Sequence, residues 1–410
     1  MKLARFFPAV ALAGLLVAAC GGGTSGGGGS SPSATVPSDL TVDSFDVNYT
    51  PMAKLKALHD AGSGLVGVLL PDTTSSVRYV NFDAPDLGKA FQLAGYSTSE
   101  YKIDNAQGSD ATELAQAQAD ITQGAKVLVM DPIDSTVGTQ IQQAAAAKGV
   151  KLISYDRATF TGTNTYYVSF NNVNVGKLIG QGFLDCVAAW NVSNPQVFTL
   201  NGGQDTDPNA IDFAKGYNSV VWGDEVAQET VGKTNSKGMK LVGDQVAPGW
   251  DNTKGQTIFQ QQYTANKNIN ATIEANDGLA NAVVTVLKQN GVGPNKIPTV
   301  GQDATLQGIE NVLQGFQCGS VYKAVYLEAQ AAVALATILR AGLTPPSSLQ
   351  NGTTSPPSGK PGNTQPAILL TPIWVDKSKV ASTVIKDNFV DKNALCQAVT
   401  QAVCTANGIS

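Results

Sequence analysis

The chain has 410 residues, a formal net charge of −5, 42% hydrophobic and 14% charged residues, and one histidine, His59. That length can bury two cores of ordinary domain size, and the acidic balance argues against nucleic acid or an anionic membrane surface as partner. A single histidine argues against Ser-His-Asp and Cys-His hydrolases, multi-histidine metal sites and histidine acid–base pairs, so neither a metal nor a cofactor is expected.

Lys2 and Arg5 precede an apolar run over 6–19 that is too short for a stable membrane span. The run ends in Val17-Ala18-Ala19-Cys20, which resembles the bacterial lipobox, small residues ahead of a cysteine that becomes lipidated. Residues 1–20 therefore read as a lipoprotein signal peptide with Cys20 as the lipidation site; the alternative is an ordinary secretory signal with a chance cysteine. Residues 21–33 are rich in Gly and Ser and cannot form a core, and 21–63 as a whole reads as flexible tether and leader. The mature protein is expected to be exported and held by its lipid at the outer face of the cytoplasmic membrane.

From 65 onward, apolar runs and helical patterns alternate. Strands are predicted at 65–70, 126–130, 150–155, 196–200, 240–243, 271–274, 297–300 and 319–321, with helices near 84–94, 111–123, 140–148 and 176–190. Near-continuous apolar strands alternating with helices argue an α/β chain built on parallel sheets, and the strand count suggests two lobes. A Pro- and Ser-rich stretch over 344–366 reads as a surface excursion, because apolar Ala367-Ile-Leu-Leu370 follows it.

Export favours disulfides among Cys186, Cys318, Cys396 and Cys404, and four cysteines allow three pairings. Cys396 and Cys404, close together in the tail, are the preferred pair, which leaves Cys186 with Cys318. Free buried thiols are the alternative.

Polar residues recur just after the strands. Asp72, Arg78 and Tyr79 follow the first; Asp131 and the pair Asp156-Arg157 follow later ones. In the second half Asn201, Asp207, Asn209, Asp244, Asn276-Asp277, Asp303 and Lys323 hold such positions. Ligands of open α/β sheets bind at the carboxyl ends of the strands. For Asp72, Asp131, Asp244 and Asp277 a capping or turn role is the favoured reading. Arg78, Arg157 and Lys323 do not fit that reading, since a cation near a helix N-terminus opposes the helix dipole.

Tyr155-Asp156-Arg157, Asn276-Asp277 and Gly301-Gln302-Asp303, each after a strand, resemble the type I periplasmic sugar-binding proteins. The stretches 202–210 and 242–250, Val321-Tyr-Lys323, and the tail over 369–373 and 383–387 resemble the xylose-binding branch. The ordered set runs from 65 to 389. The resemblance implies two doubly wound parallel-sheet lobes joined by three crossing segments, with 64–168 plus 324–368 in one and 169–323 plus 369–410 in the other. It implies that Arg78, Tyr79, Asp156, Arg157, Asp207, Asn209, Trp250, Asn276, Asp303 and Lys323 contact a monosaccharide, xylose first among candidates. It further implies a monomeric receptor that closes on its sugar and delivers it to an ABC-type permease and its ATPase. Two departures stand out: Pro71-Asp72-Thr73-Thr74 replaces the family's acidic pair after the first strand, and Ser169-Phe170-Asn171-Asn172 stands where the family has Ser-Phe-Asp-Asn. A sensor presenting sugar to a membrane signalling protein would use the same fold. A glycosidase working through carboxylates such as Asp156 and Asp303 is disfavoured by their cationic neighbours, which keep them ionised.

Overall fold

In a computed structural model, residues 34–162, 165–203, 207–357 and 360–409 are described; the signal segment, Cys20 and the Gly/Ser tether lie outside them. The strands are β1 (Leu65–Leu70), β2 (Tyr101–Asn105), β3 (Ala125–Met130), β4 (Lys151–Tyr155), β5 (Tyr166–Phe170), β6 (Gln196–Gly203) and β7 (Lys240–Pro248). They continue with β8 (Ala271–Glu274), β9 (Gly301–Gln302), β10 (Gly319–Tyr322), β11 (Gly352–Thr354), β12 (Gln365–Leu370) and β13 (Ile373–Asp376). The helices are α1 (Lys56–Ala61), α2 (Ala84–Leu93), α3 (Asp110–Thr122), α4 (Ser135–Ala147), α5 (Asn172–Ala189) and α6 (Pro208–Val221). After them come α7 (Asn252–Ala265), α8 (Asp277–Gln289), α9 (Leu306–Gln314), α10 (Val325–Arg340), α11 (Lys392–Val399) and α12 (Gln401–Ala406).

One seven-stranded sheet has the order β11-β12-β5-β4-β3-β1-β2. It is parallel except at β11, which adds the Pro/Ser-rich excursion as an antiparallel edge. Its strands are apolar on both faces because both faces are covered. Val66, Val68, Val127 and Val129 pack with Leu87 and Phe91 of α2 and Leu335 of α10. The alternate residues Leu69, Leu128 and Met130 pack with Ala117 of α3 and Val137 and Ile141 of α4, as the twofold alternation of a strand requires.

The leader from 34 onward is not tether. Leu40, Phe45, Tyr49, Met52, Leu55 and Leu58 are buried in the same core, the Tyr49 hydroxyl donates to Asp86 (2.6 Å) and the Gln330 amide donates to the Asp46 carbonyl (2.8 Å). These apolar side chains are spaced widely among polar ones, so composition alone reads them as linker.

In the second half, β7-β6-β8 form one parallel set, while β9 and β13 flank β10, β9 parallel and β13 antiparallel. The strand expected at 297–300 forms only as the short β9 beyond it. Pro298 has no N–H to give a ladder, its carbonyl accepts from the Thr272 N–H (2.9 Å), and the Val300 N–H bonds the Glu274 carboxylate (3.0 Å) instead of a backbone partner. Helices α5 and α6 approach closely because Gly176 and Gly216 face each other; a Cβ on either would strike the opposite backbone.

The chain passes between the two sheet systems at Phe170 into α5, at Tyr322 into α10, and from Leu370 to Ile373. The architecture is thus two doubly wound α/β lobes with three crossings. Disulfides join Cys186 of α5 to Cys318 and Cys396 of α11 to Cys404 of α12.

Candidate functional site

All ten residues singled out in the sequence line one cavity of about 330 Å³, open mouth included, between the two lobes. Ser75, Ser76, Phe213 and Gln302 line it as well. The first sheet delivers its members from the carboxyl ends of β1 and β4. The second lobe delivers its own from loops after β6, β7, β8, β9 and β10. Asp156, Trp250 and Asp303 have left-handed backbones, with φ of 55°, 58° and 98°. Such conformations are costly for residues with a Cβ and persist where the surroundings over-determine them, often at functional sites.

The two arginines are held differently. Arg78, 3% exposed, donates from Nε and Nη2 to Asp83 (2.9 and 2.7 Å), from Nη2 to Glu328 (2.7 Å) and from Nη1 to Asp156 (3.0 Å). Of the five N–H groups of a guanidinium, one remains. Among the described residues, Arg157 donates only to the Pro132 carbonyl, from Nη1 at 3.2 Å. Its Nε lies 3.8 Å from Asp207 and its Nη1 3.8 Å from Asp131, too far for hydrogen bonds. Four of its N–H groups therefore have no hydrogen-bond acceptor among the described residues. Both guanidinium carbons sit 5.7 Å from the centroid of the Tyr79 ring.

Asp156 bridges the lobes. Burial alone would raise its pKa, but Arg78, Lys323 and Arg157 hold it below the usual carboxylate value. One oxygen is on Arg78, leaving the other for the cavity. Its backbone carbonyl accepts from Tyr167 (2.7 Å) and from Asn209 of the other lobe (3.0 Å). Asn209 also accepts from Asn172 of its own lobe (2.9 Å), so its amide links the lobes through the Asp156 carbonyl, and its other N–H has no partner among the described residues.

Asp207 and Asn276 cap α6 and α8, accepting from Asn209 and Ala210 and from Leu279 respectively. A capping role and a cavity role coexist in both. The second Asp207 oxygen accepts from the Trp250 indole (2.8 Å), which fixes that ring edge-on to Phe213 at 6.2 Å. The Asn276 amide nitrogen has no hydrogen-bond partner among the described residues. Lys323 pairs with Asp303 at 3.0 Å, leaving ammonium donors and a carboxylate oxygen. The Gln302 side-chain oxygen is buried without a hydrogen-bond partner.

Of the four acids read as caps or turns, only Asp72 behaves so, accepting from the Thr74 and Ser75 N–H groups. Asp131 caps nothing: both its oxygens are buried without partners, and burial pushes its pKa up against the pull of Arg157. The actual cap of α4 is Asp134. Asp244 accepts from the Asn201 amide and the Glu229 N–H (2.5 and 2.9 Å) and ties a loop to β7. Asp277 clamps Thr305, Gln317 and Ser320 together, and burial pushes it up to about 7.

Among the described residues, no cluster of acidic, histidine or cysteine side chains could hold a metal, and no helix is long and apolar enough to cross a membrane. A periplasmic binding protein domain matches residues 66–343. The chain belongs to the periplasmic binding proteins. It is 32% identical over 296 residues to a D-xylose-binding periplasmic protein of Escherichia coli, covering 72% of this chain and 82% of that one. It is 29% identical over 347 residues to the multiple sugar-binding periplasmic receptor ChvE of Rhizobium radiobacter, covering 82% and 93%. A carbohydrate transporter solute binding protein from Chloroflexus aurantiacus, solved with D-glucose, superposes with TM-score 0.68 at 25% identity, covering 81% of this chain and 98% of that one. These relatives are named as binding proteins and receptors, and as a member of their family the chain is a binding protein and not an enzyme.

Proposed function

We propose that the chain is the extracytoplasmic receptor of an ABC importer and closes its lobes on a neutral monosaccharide, with xylose the first candidate. The observation that carries this reading is the charge balance of the cavity. Three cations, Arg78, Arg157 and Lys323, face three lining carboxylates, Asp156, Asp207 and Asp303. Donors on Arg157, Lys323 and Asn276 and acceptors on Asp156, Asp303 and Gln302 have no hydrogen-bond partner among the described residues. Such a lining suits a ligand whose groups both donate and accept and which brings no charge of its own. Tyr79, Phe213 and Trp250 supply apolar faces for the C–H side of a ring. The sugars named for the relatives support the same class.

Both lobes contact the cavity, so a bound sugar favours the closed form over an open one in which each wall is wet. The lobes that move would be 64–168 with 324–368 and 169–323 with 369–410. A permease would read the closed shape, and a lipid on Cys20 would keep the monomeric receptor beside it. Isothermal calorimetry of the purified protein against pentoses and hexoses tests the proposal. One or a few monosaccharides binding at micromolar Kd or tighter is the expected outcome. No heat from any monosaccharide, with a folded protein, refutes it.

A further inference from the structure

The inner cavity does not end at its mouth. Ser75, Ser76, Asn276 and Asp303 also line a second, outer cleft of about 1,110 Å³. Asn81 and Phe82 from the first lobe face Asn281, Thr305 and Gln307 from the second across it. We propose that this outer cleft holds a second pyranose ring, so that the protein takes neutral disaccharides whose first ring fills the inner cavity. The proposal rests on the sugar-receptor reading and extends it.

Size and continuity favour it. Open solvent included in both, the inner cavity holds about 330 Å³ and the outer cleft about 1,110 Å³, so the outer cleft is the roomier of the two. Asn276 sits at the junction of the two, only 4% exposed and with its amide nitrogen unpartnered among the described residues, where a linkage or hydroxyl would pass.

The chemistry of the outer cleft is that of a sugar surface. Amides of Asn81, Asn281 and Gln307 and the Thr305 hydroxyl offer hydrogen bonds of both senses. Val77 and Leu306 also line it and are 48% and 37% exposed, which is unusual for large apolar side chains flanking one cleft. A ring's C–H face would cover them. The Phe82 and Phe389 rings stack at 4.0 Å across the lobes and close one side. Glu310 and Asp391 line the cleft and no Lys or Arg does, which disfavours a uronic acid or a sugar phosphate there.

Calorimetry with xylose, glucose, xylobiose, cellobiose and maltose tests this on wild type and on the double variant Asn81→Ala/Gln307→Ala. Both residues are exposed, lie on opposite lobes and line the outer cleft but not the inner cavity. At least one disaccharide should bind, and its affinity should fall about three- to tenfold per lost hydrogen bond in the variant, with monosaccharide affinity unchanged. Monosaccharide binding without disaccharide binding, or disaccharide affinity unmoved in the variant, overturns this inference and leaves the receptor reading standing. Binding of neither class refutes both.

Discussion

Arg157 and Arg78 line one cavity wall and are both almost fully buried, yet replacing each with alanine should have opposite consequences. Among the described residues Arg157 makes one hydrogen bond, to the Pro132 carbonyl. If two of its remaining N–H groups meet sugar hydroxyls, each charge-assisted bond is worth about 1.5–3 kcal/mol. Arg157→Ala should then weaken binding by roughly 3–6 kcal/mol, or about 10²- to 10⁴-fold in Kd. Stability should change little, because Asp131, a fully buried carboxylate 3.8 Å away, already has its pKa raised by burial and can take a proton. Arg78 is engaged by Asp83, Asp156 and Glu328. Removing it takes away the cation shared by these three buried carboxylates, and breaking such a buried pair costs about 3–5 kcal/mol. Arg78→Ala should therefore melt well below wild type. Calorimetric titration and thermal melts on the two variants read both effects. Wild-type affinity in folded Arg157→Ala, or a wild-type melting temperature in Arg78→Ala, would refute the assignment of binding to one arginine and folding to the other.

Three further outcomes follow from the geometry. A Cβ at Gly202 would run into the Trp250 ring, so Gly202→Ala should shift tryptophan emission and weaken sugar binding about tenfold while the far-UV spectrum stays native. Burial pushes Glu274 up from 4.5 to about 8. The folded form then holds its proton more tightly than the unfolded chain, so its stabilisation is full below about pH 4.5 and is lost as pH rises toward 8. Melting temperature should drop between pH 5 and 8, and Glu274→Gln should flatten that drop; identical slopes would contradict it. The Cys186–Cys318 bridge spans 132 residues, and loops of that order are worth about 4–5 kcal/mol in the chain-entropy estimate. Cys186→Ala/Cys318→Ala should lower the urea midpoint clearly, and an unchanged midpoint would show the bridge to be passive.

Much of the cavity wall was legible in the sequence, because an α/β sheet brings its strand ends together and polar residues at those ends stand out against apolar strands. Ser75, Ser76, Phe213 and Gln302 were not singled out as contacts. Phe213 reads as the apolar face of α6, and Gln302 hides beside the more conspicuous Asp303. Short-range spacing also misread Asp131, Asp244 and Asp277 as local caps or turns, since their partners or neighbours lie on other elements. No spacing rule could show that Arg78 is enclosed by Asp83 and Glu328, the latter 250 positions away in the chain. The strand expected at 297–300 failed where Pro298 withholds an N–H, and β2 and β5 were missed because they are short and carry polar residues such as Lys102, Asp104 and Ser169.

The central claim is that a neutral sugar sits between the lobes, held by groups the protein leaves unengaged. A crystal structure with the tightest-binding monosaccharide tests it directly. The account predicts a ring enclosed by both lobes, with hydroxyls on Arg157, Lys323 and the free oxygens of Asp156 and Asp303. A sugar bound outside this cavity, or a closed cavity in which Arg157 touches no ligand atom, would contradict it.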